Sequence, residues 1–377
     1  MAFFTSISSN YLPKALILAN SVRRHRPEAP FYVVLCDKPP AELPRFGWAF
    51  SKVFLLEDLR LPVEDVEQWV FKHTVVELCT AVKAPFMVQA MEELQIDKLV
   101  YLDPDIVVLD KLQELETLLE THSVVVTPHL EEPESSLAAI LDNEICALKH
   151  GVFNLGFLAL RNTAEGRRFA RWWCERSIHF CYDDIPNGLF TDQRWIDLAP
   201  GFFPDFYVLR DKSYNIATWN LSHRRVEKLA DGRLCVAGAP IQFFHFSGFD
   251  SGAQLAMLNK YGAHSPALFE LRDWYIAELD RAGQNEFGNL PWSFDCFSNG
   301  KVIRPEYRNL YREREDLRQA FPRPARVEEG KSYYHWCAEN FRNGQPHRQK
   351  PPLLKKWKRS IMKRIPLVQS AIRKNGS

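Results

Sequence analysis

The sequence predicts an α/β fold in which a mostly parallel sheet is flanked by helices, and three observations support it. Short apolar, β-branched runs alternate along the chain with segments of helical periodicity. The apolar run at residues 98–109, interrupted once by two carboxylates, has the character of a buried strand, which is typical of parallel sheets. With 377 residues, 46% hydrophobic and 25% charged, the chain can bury the core of one large domain.

The chain begins with a strand, helix, strand unit. An apolar start at residues 2–7 is followed by residues 8–10, Ser-Ser-Asn, which can cap a helix that begins near Tyr11 or Leu12. Apolar residues then recur at helical spacing, and residues 31–36 form a second strand. Such a unit predicts neighbouring parallel strands.

The alternation continues to residue 285. We expect strands at 53–56, 98–102, 123–126, 153–161, 202–209 and 241–246, and helices at about 75–94, 112–119, around 171 and at 266–281. Residues 291–311 show no clear period, and residues 322–324 are typical of a linker. We therefore divide the chain into an α/β domain at residues 1–285, a C-terminal extension at 286–340 and a basic amphipathic tail at 341–377.

Two carboxylates, Asp103 and Asp105, interrupt the long apolar run. Side chains two residues apart in a strand point to the same side, and Pro104 stiffens the segment between them. Because carboxylates at the end of a buried strand need a compensating cation, the pair predicts a site for Mg²⁺ or Mn²⁺. The alternative is an Asp-Pro-Asp turn that only ends the strand.

Composition indicates the compartment. No apolar run is long enough to cross a bilayer, and the N-terminus lacks the basic start and long apolar stretch of a signal peptide. The eight cysteines are scattered without a Cys-x-x-Cys pair, as is typical of reduced thiols. We therefore expect a cytoplasmic protein.

The formal net charge of +1 conceals a cationic tail, because no acid follows Glu339. Apolar residues recur there at near-helical spacing among lysines and arginines, a pattern typical of a helix lying on an anionic membrane surface. A solvated basic tail is the alternative. The rest of the chain is net acidic, so we expect no nucleic-acid partner.

Four segments, in chain order, match the motifs of one enzyme family. They are residues 5–11 with 31–37, Asp103-Pro104-Asp105, residues 153–157 (Phe-Asn-Leu-Gly-Phe) with 191–193 (Thr-Asp-Gln), and residues 241–248 (Ile-Gln-Phe-Phe-His-Phe-Ser-Gly). Over about residues 3–250 the chain resembles nucleotide-sugar-dependent glycosyltransferases of the GT-A fold, closest to the retaining family 8 enzymes and their bacterial relatives. The resemblance implies a Rossmann-like sheet.

The resemblance also implies a donor site. The first segment would hold the nucleotide, with Tyr11 stacking on the base or else packing on its neighbours. Asp103, Asp105 and His245 would hold the metal ion that bridges the donor diphosphate. The residues implied in donor binding are Thr5, Ser6, Asn10, Tyr11, Asp37, Lys83, Asp103 and Asn154. The chain departs from the family after Gly248, where Phe249-Asp250 replaces the usual diphosphate-binding lysine.

Asp192 and Gln193 are implied as catalytic residues beside the donor sugar, although Asp192 could instead cap a helix. Retention would follow from front-face attack with Gln193 near the reacting carbon, or from a covalent step on Asp192. Residues 210–220, rich in aromatic and amide groups, are candidates for an acceptor site. The acceptor implied is a glycan or lipid-linked glycan of bacterial surface polysaccharide, met at the inner face of the membrane.

Two other functions remain open at this point. Asp103-x-Asp105 also fits an aspartyl phosphohydrolase, but such enzymes place the motif on their first strand and need a late acidic pair, for which Asp183-Asp184 is a loose candidate. A non-catalytic nucleotide-sugar binding protein is the other alternative.

Overall fold

The computed structural model describes residues 1–342 and 345–346. Its strands are β1 (Ala2–Ile7), β2 (Phe31–Leu35), β3 (Lys52–Leu55), β4 (Lys98–Leu102), β5 (Ile106–Val108), β6 (Val124–Pro128), β7 (Phe153–Arg161), β8 (Tyr182–Asp184), β9 (Leu189–Thr191), β10 (Phe206–Val208), β11 (Val226–Lys228), β12 (Leu234–Val236), β13 (Ala239–Pro240), β14 (Phe243–His245), β15 (Phe341–Arg342) and β16 (Gln345–Pro346). A central seven-stranded sheet has the order β10-β6-β7-β4-β1-β2-β3. The predicted α/β fold class is confirmed.

The central sheet is mixed but mostly parallel. β1 pairs in parallel with β2 and β4, β2 with β3, and β6 with β10. β7 alone runs antiparallel to its neighbours in this sheet, β4 and β6. The carboxyl ends of β1, β2 and β4 meet at one edge, so the loops that follow them gather there.

Helices cover both faces of the sheet. They are α1 (Leu12–His25), α2 (Val66–Phe71), α3 (Val75–Ala81), α4 (Lys83–Glu92), α5 (Gln113–Thr121), α6 (Leu137–Ala139), α7 (Ile145–His150), α8 (Ala164–Phe180), α9 (Ala199–Phe202), α10 (Ala253–Tyr261), α11 (Pro266–Arg281), α12 (Gln284–Phe287), α13 (Pro305–Glu313), α14 (Glu315–Ala320) and α15 (Tyr333–Asn340). Alternation along β1 places Phe4 in one apolar cluster with Phe86 of α4, and Phe3 in another with Leu18 of α1.

The helix predicted over residues 75–94 is divided in two at Val82. The cause is Pro85, whose ring would clash with the carbonyl group of Ala81 in a continuous helix and which is tolerated only in the first turn of a new one. The break lets Lys83 begin α4 as a buried residue, 2% exposed.

The predicted cap of the first helix is wrong. Residues Ser9–Tyr11 form a 3₁₀ turn, and no side chain caps the start of α1. The hydroxyl of Ser8 instead donates a hydrogen bond to Oδ1 of Asn10, at 2.6 Å.

Two short strands outside the central sheet determine where the site forms. β5 pairs antiparallel with β14, and this register sets Ile106 opposite His245. The amide of Phe246 continues the pairing by donating to the carbonyl oxygen of Asp105, at 2.9 Å. A histidine distant in sequence is thereby fixed beside the residues that follow β4.

The extension contains more regular structure than its sequence pattern indicated. α13, α14 and α15 pack around Tyr311 and Tyr333 in a cluster that also includes Phe71 of the preceding domain. The boundary at residue 285 stays a prediction. Within the described residues, no helix is long and apolar enough to span a membrane. The predicted amphipathic tail beyond residue 346 lies outside them.

Candidate active site

The site begins where β4 ends. The Asp103 amide donates to the carbonyl oxygen of Gly156 at 2.8 Å, and the Asp103 carbonyl accepts from the Ile106 amide at 3.0 Å, so the Asp-Pro-Asp segment is a tight turn. The Tyr101 hydroxyl donates to Oδ1 of Asp103 at 2.6 Å. These bonds orient one carboxylate oxygen of Asp103 inwards and leave the other available.

His245 completes a cluster with the two carboxylates. Its Nε2 lies 3.1 Å from Oδ1 of Asp105 and 3.7 Å from Oδ2 of Asp103. Burial lowers the pKa of His245, but the charge and hydrogen bond of Asp105 outweigh it, and the pKa lies above its ordinary value.

One ligand atom from each of these three residues lies within 4.8 Å of the others. Two carboxylate oxygens and one imidazole nitrogen form a donor set that fits Mn²⁺ or Mg²⁺. The three residues could therefore hold a divalent ion.

Gly156, in β7, lines the back of this cluster. A Cβ atom at this position would lie 2.4 Å from Cε1 of His245 and 2.9 Å from Oδ2 of Asp103. Only a residue without a side chain lets β7 approach the cluster so closely. The sequence motif contained this glycine, but its role was not predicted.

Lys83 links the cluster to Asp192. Its Nζ lies 3.5 Å from Oδ1 of Asp103 and 3.2 Å from Oδ2 of Asp192, and it donates to the carbonyl oxygen of Leu155 at 3.1 Å. Burial lowers the pKa of Lys83, but the two carboxylates outweigh it and the pKa is raised. Burial raises the pKa of Asp192, and Lys83 opposes this effect. Lys83 thus compensates buried negative charge.

Asp192 is not a helix cap. The 3₁₀ helix Arg194–Leu198 follows it, but no side chain caps that helix. Asp192 is 2% exposed and contacts Lys83. Gln193 uses both ends of its amide on the main chain, because Oε1 accepts from the Leu155 amide and Nε2 donates to the His150 carbonyl, each at 2.9 Å.

Asn154 lies in β7, two residues before Gly156. Its Oδ1 accepts from Nδ2 of Asn215 at 3.0 Å, and its Nδ2 lies 3.3 Å from Nε2 of His129. Burial lowers the pKa of His129 to about 4, so the ring is neutral at neutral pH. Trp219 packs edge-on against His245, with ring centroids 5.3 Å apart.

Some buried polar atoms in this region have no hydrogen-bond partner in the described structure. They include Nδ1 of His129, Oδ1 of Asn215 and Nε1 of Trp219. Unpaired buried polar groups are costly and are expected where a polar ligand binds. Two of these residues belong to the segment 210–220 that the sequence suggested for the acceptor, whereas Lys212 of that segment pairs with Glu132.

A cavity of about 660 Å³ opens next to the carboxylates. The predicted donor residues Ser6, Asn10, Tyr11 and Asp103 line it, together with Asp105. The cavity is also lined by residues that the sequence did not suggest, among them Val75, Val76, Cys79, Thr80, Asp250, Gln284, Gly288, Asn289, Leu290 and Trp292. A segment of the C-terminal extension therefore contributes a wall.

Thr5 and Asp37 are not among the residues lining this cavity. Thr5 is fully buried in β1. The Asp37 carboxylate accepts from the amides of Ser9, Lys38 and Ser293, at 3.1, 2.9 and 2.9 Å. Asp37 therefore ties the extension to the loop after β1.

Asp250 carries a negative charge in the region where the resemblance implied a diphosphate-binding lysine. Its Oδ2 accepts from the Tyr11 hydroxyl at 2.8 Å and lies 2.5 Å from Nζ of Lys14. Burial raises the pKa of Tyr11, and Asp250 raises it further. Tyr11 is thus held at the cavity wall as a neutral phenol.

Comparison with known proteins identifies the enzyme class. Residues 3–168 match the family model described as glycosyl transferase family 8. The chain is 25% identical to YfnD of Bacillus subtilis strain 168 over 251 residues, which cover 66% of this chain and 77% of YfnD. It is 23% identical to YfnF of the same organism over 263 residues, covering 66% and 81%.

Among solved structures, the galactosyltransferase LgtC in complex with donor and acceptor sugar analogs has a TM-score of 0.42 and 14% identity to this chain. The match covers 66% of this chain and 87% of LgtC. The family match spans β1, β4 and β7, and it includes Asp103, Asn154 and Gly156 of the candidate site. The chain is therefore a glycosyltransferase, and its residues 3–168 resemble family 8 of these enzymes.

Proposed function

We propose that this glycosyltransferase is metal-dependent and transfers a sugar from a nucleotide-sugar donor to a glycan or lipid-linked glycan acceptor, with retention of configuration. The observation that carries the proposal is the convergence of Asp103, Asp105 and His245 beside a cavity of about 660 Å³. That volume suits a cofactor-sized ligand. The cavity extends from the carboxylates towards Tyr11, so a diphosphate can lie near the ion while the base lies near Tyr11.

Each residue has a proposed task in binding. Asp103, Asp105 and His245 hold Mn²⁺ or Mg²⁺, and the bound ion supplies positive charge to the leaving nucleoside diphosphate. Lys83 supplies a positive charge beside Asp103 and the buried Asp192. Ser6, Asn10 and Tyr11 bind the nucleotide, and Asn154 borders the donor sugar.

Front-face attack is the mechanism of retention that we favour. Asp192 is buried and paired with Lys83 at 3.2 Å, which limits its ability to reach a sugar carbon as a nucleophile. Gln193 joins β7 to the last residue of α7 through its two main-chain bonds and so positions the sugar site. A glycosyl adduct on Asp192, detected by mass spectrometry after incubation with donor alone, would contradict front-face attack.

The acceptor proposal extends to bacterial surface polysaccharide synthesis at the inner face of the membrane. It is supported by the basic composition of residues 341–377, which suits an anionic membrane surface. The unpaired polar atoms of His129, Asn215 and Trp219 are the proposed contacts for sugar hydroxyls.

The test is a panel of nucleotide sugars incubated with and without Mn²⁺, with release of nucleoside diphosphate as the readout. We expect wild-type enzyme to hydrolyse one donor slowly and only with the ion. Asp105→Ala should lose this activity by about a hundredfold or more, because one of two ionic ligands is removed. Asp183→Asn is the matched control, since Asp183 is exposed and lies outside the cluster.

This control also tests the phosphohydrolase alternative, which needs Asp183-Asp184 as an acidic pair. In the described residues, Asp183 and Asp184 form no metal-ligand group with Asp103 and Asp105. Loss of activity in both Asp105→Ala and Asp183→Asn, with phosphatase activity in the wild type, would favour the phosphohydrolase over the transferase.

A further inference from the structure

The donor cavity lacks an obvious partner for a diphosphate. Three carboxylates line it, those of Asp103, Asp105 and Asp250, and no lysine or arginine does so among the described residues. A divalent ion would balance the charges of Asp103 and Asp105. The two phosphate groups of a nucleotide sugar would bring two further negative charges, and Asp250 would repel them.

Two buried lysines lie close to the cavity, and the positive charge of one of them is already balanced by carboxylates. Lys83 contacts Asp103, Asp192 and a main-chain carbonyl, so its positive charge is already balanced. Lys14 has a different environment. It projects from the first turn of α1, is 1% exposed, and makes its described ion pair with Asp250 alone.

Asp250 stands between Lys14 and the cavity. Its side chain is 49% exposed and lines the cavity, whereas Lys14 is covered. The Lys14 Nζ lies 4.1 Å from the centroid of the Tyr11 ring, which also lines the cavity.

We propose that Lys14 is the cation that binds the diphosphate of the donor, and that Asp250 holds this cation in the free enzyme and is displaced when the donor binds. The proposal rests on the proposed function and assigns a residue to its diphosphate contact. Lysine is a common point-charge ligand of phosphate.

The proposed exchange gives Lys14 an anionic partner both before and after the donor binds. A buried lysine without an anion is strongly destabilising, so Lys14 needs a partner when the site is free. Because Asp250 is half exposed, it can rotate into water at little cost while a phosphate oxygen takes its place. Lys14 therefore remains paired throughout. The affinity for the donor depends on how much more strongly Lys14 pairs with the phosphate than with Asp250.

The proposal predicts opposite effects for the two partners. Lys14→Met removes the positive charge but keeps a side chain of similar length, and it should weaken diphosphate binding by about 10- to 100-fold. Asp250→Asn removes the competing anion but leaves an oxygen to accept the Tyr11 hydrogen bond, and it should tighten diphosphate binding. Neither change should alter the affinity for the nucleoside, which has no phosphate.

The experiment is calorimetric titration, in the presence of Mn²⁺, of UDP, GDP, CDP and ADP into the full chain. The best-bound diphosphate is then compared with its own nucleoside in wild type, Lys14→Met and Asp250→Asn. Lys111→Met, at an exposed lysine, is the matched control and should behave as wild type.

The support for the proposal is a diphosphate-to-nucleoside affinity ratio that falls in Lys14→Met and rises in Asp250→Asn. A purely structural ion pair would instead lower both affinities by the same factor in both variants, and this result would overturn the proposal alone. If Lys14→Met does not fold, weaker diphosphate binding by Asp250→Asn is sufficient to overturn it. If wild type binds none of the four diphosphates, the proposed function fails as well.

Discussion

At the scale of single residues, the site depends on the absence of a side chain at Gly156. The register of β4 and β7 sets Leu102 opposite Phe157, and it brings the backbone of residue 156 against the metal-ligand cluster. A methyl group 2.4 Å from the His245 ring has no flexible neighbour to displace, because His245 is itself packed against Trp219 and Asp105. The imidazole or the strand would have to move.

We therefore predict that Gly156→Ala lowers the affinity for Mn²⁺ by about 10- to 100-fold, the usual range when residues supporting the ligands are changed. Paramagnetic resonance titration of free Mn²⁺ measures this directly. Gly201→Ala is the control, since a Cβ there meets nothing within 4 Å. Unchanged Mn²⁺ affinity in a folded Gly156→Ala protein would contradict the packing argument.

Sequence patterns predict residues that carry a local signature better than residues that act through tertiary contacts. Asp103 and Asp105 break an apolar strand, and His245 lies in a distinctive motif, so all three could be suggested from the sequence. Gly156 and Lys14 could not be assigned roles. Their importance comes from strand register and from a contact between residues 236 positions apart in the chain.

At the scale of elements, the cavity needs a segment from outside the predicted domain of residues 1–285. Trp292 lines the cavity, and its Nε1 donates to the carbonyl oxygen of Cys36 at 2.8 Å. The next amide, of Ser293, donates to Asp37 at 2.9 Å. Strands and long helices were predictable because their apolar period is local, whereas this irregular segment has no period and is fixed only by distant partners.

We expect Trp292→Ala to weaken binding of the preferred nucleoside diphosphate by about tenfold, because the cavity loses an aromatic wall and the hydrogen bond to Cys36. Calorimetry at 25 °C gives the affinity, and thermal unfolding shows whether the variant is folded. Trp48→Ala is the control, because Trp48 is exposed and lies outside the cavity lining. Wild-type affinity in Trp292→Ala would mean that the Trp292 ring does not contact the nucleotide.

At the scale of the whole molecule, the extension and the preceding domain are joined by buried charge. Arg308 donates to the carbonyl oxygen of Phe71 at 3.1 Å, and Arg312 donates to that of Lys72 at 2.7 Å and contacts Glu77 at 3.0 Å. His73 lies in the same junction and is fully buried. The stability of the folded protein should therefore depend on which groups at this junction are protonated.

Burial lowers the pKa of His73 to about 3, with Arg312, Lys72 and Arg308 adding to the effect. A second buried ring, His129, has a pKa of about 4. Both are ordinary histidines in the unfolded chain, with a pKa near 6.5. Below that pH the two histidines bind protons in the unfolded chain but stay neutral in the folded chain. The stability contributed by neutral His73 and His129 is therefore present above about pH 6.5 and is lost as the pH falls towards 4.

The prediction is that the free energy of unfolding falls as the pH is lowered from about 6.5 to 4, and that His73→Asn makes this fall shallower by up to about 1.4 kcal/mol per pH unit, the value for one proton. Urea unfolding followed by tryptophan fluorescence at a series of pH values measures the slope. His179→Asn, at an exposed position of α8, should keep the wild-type slope. An equal slope in His73→Asn and wild type would show that another group governs acid unfolding. The slope is the better readout because, unlike the absolute stability, it does not depend on how well asparagine packs beside Trp69.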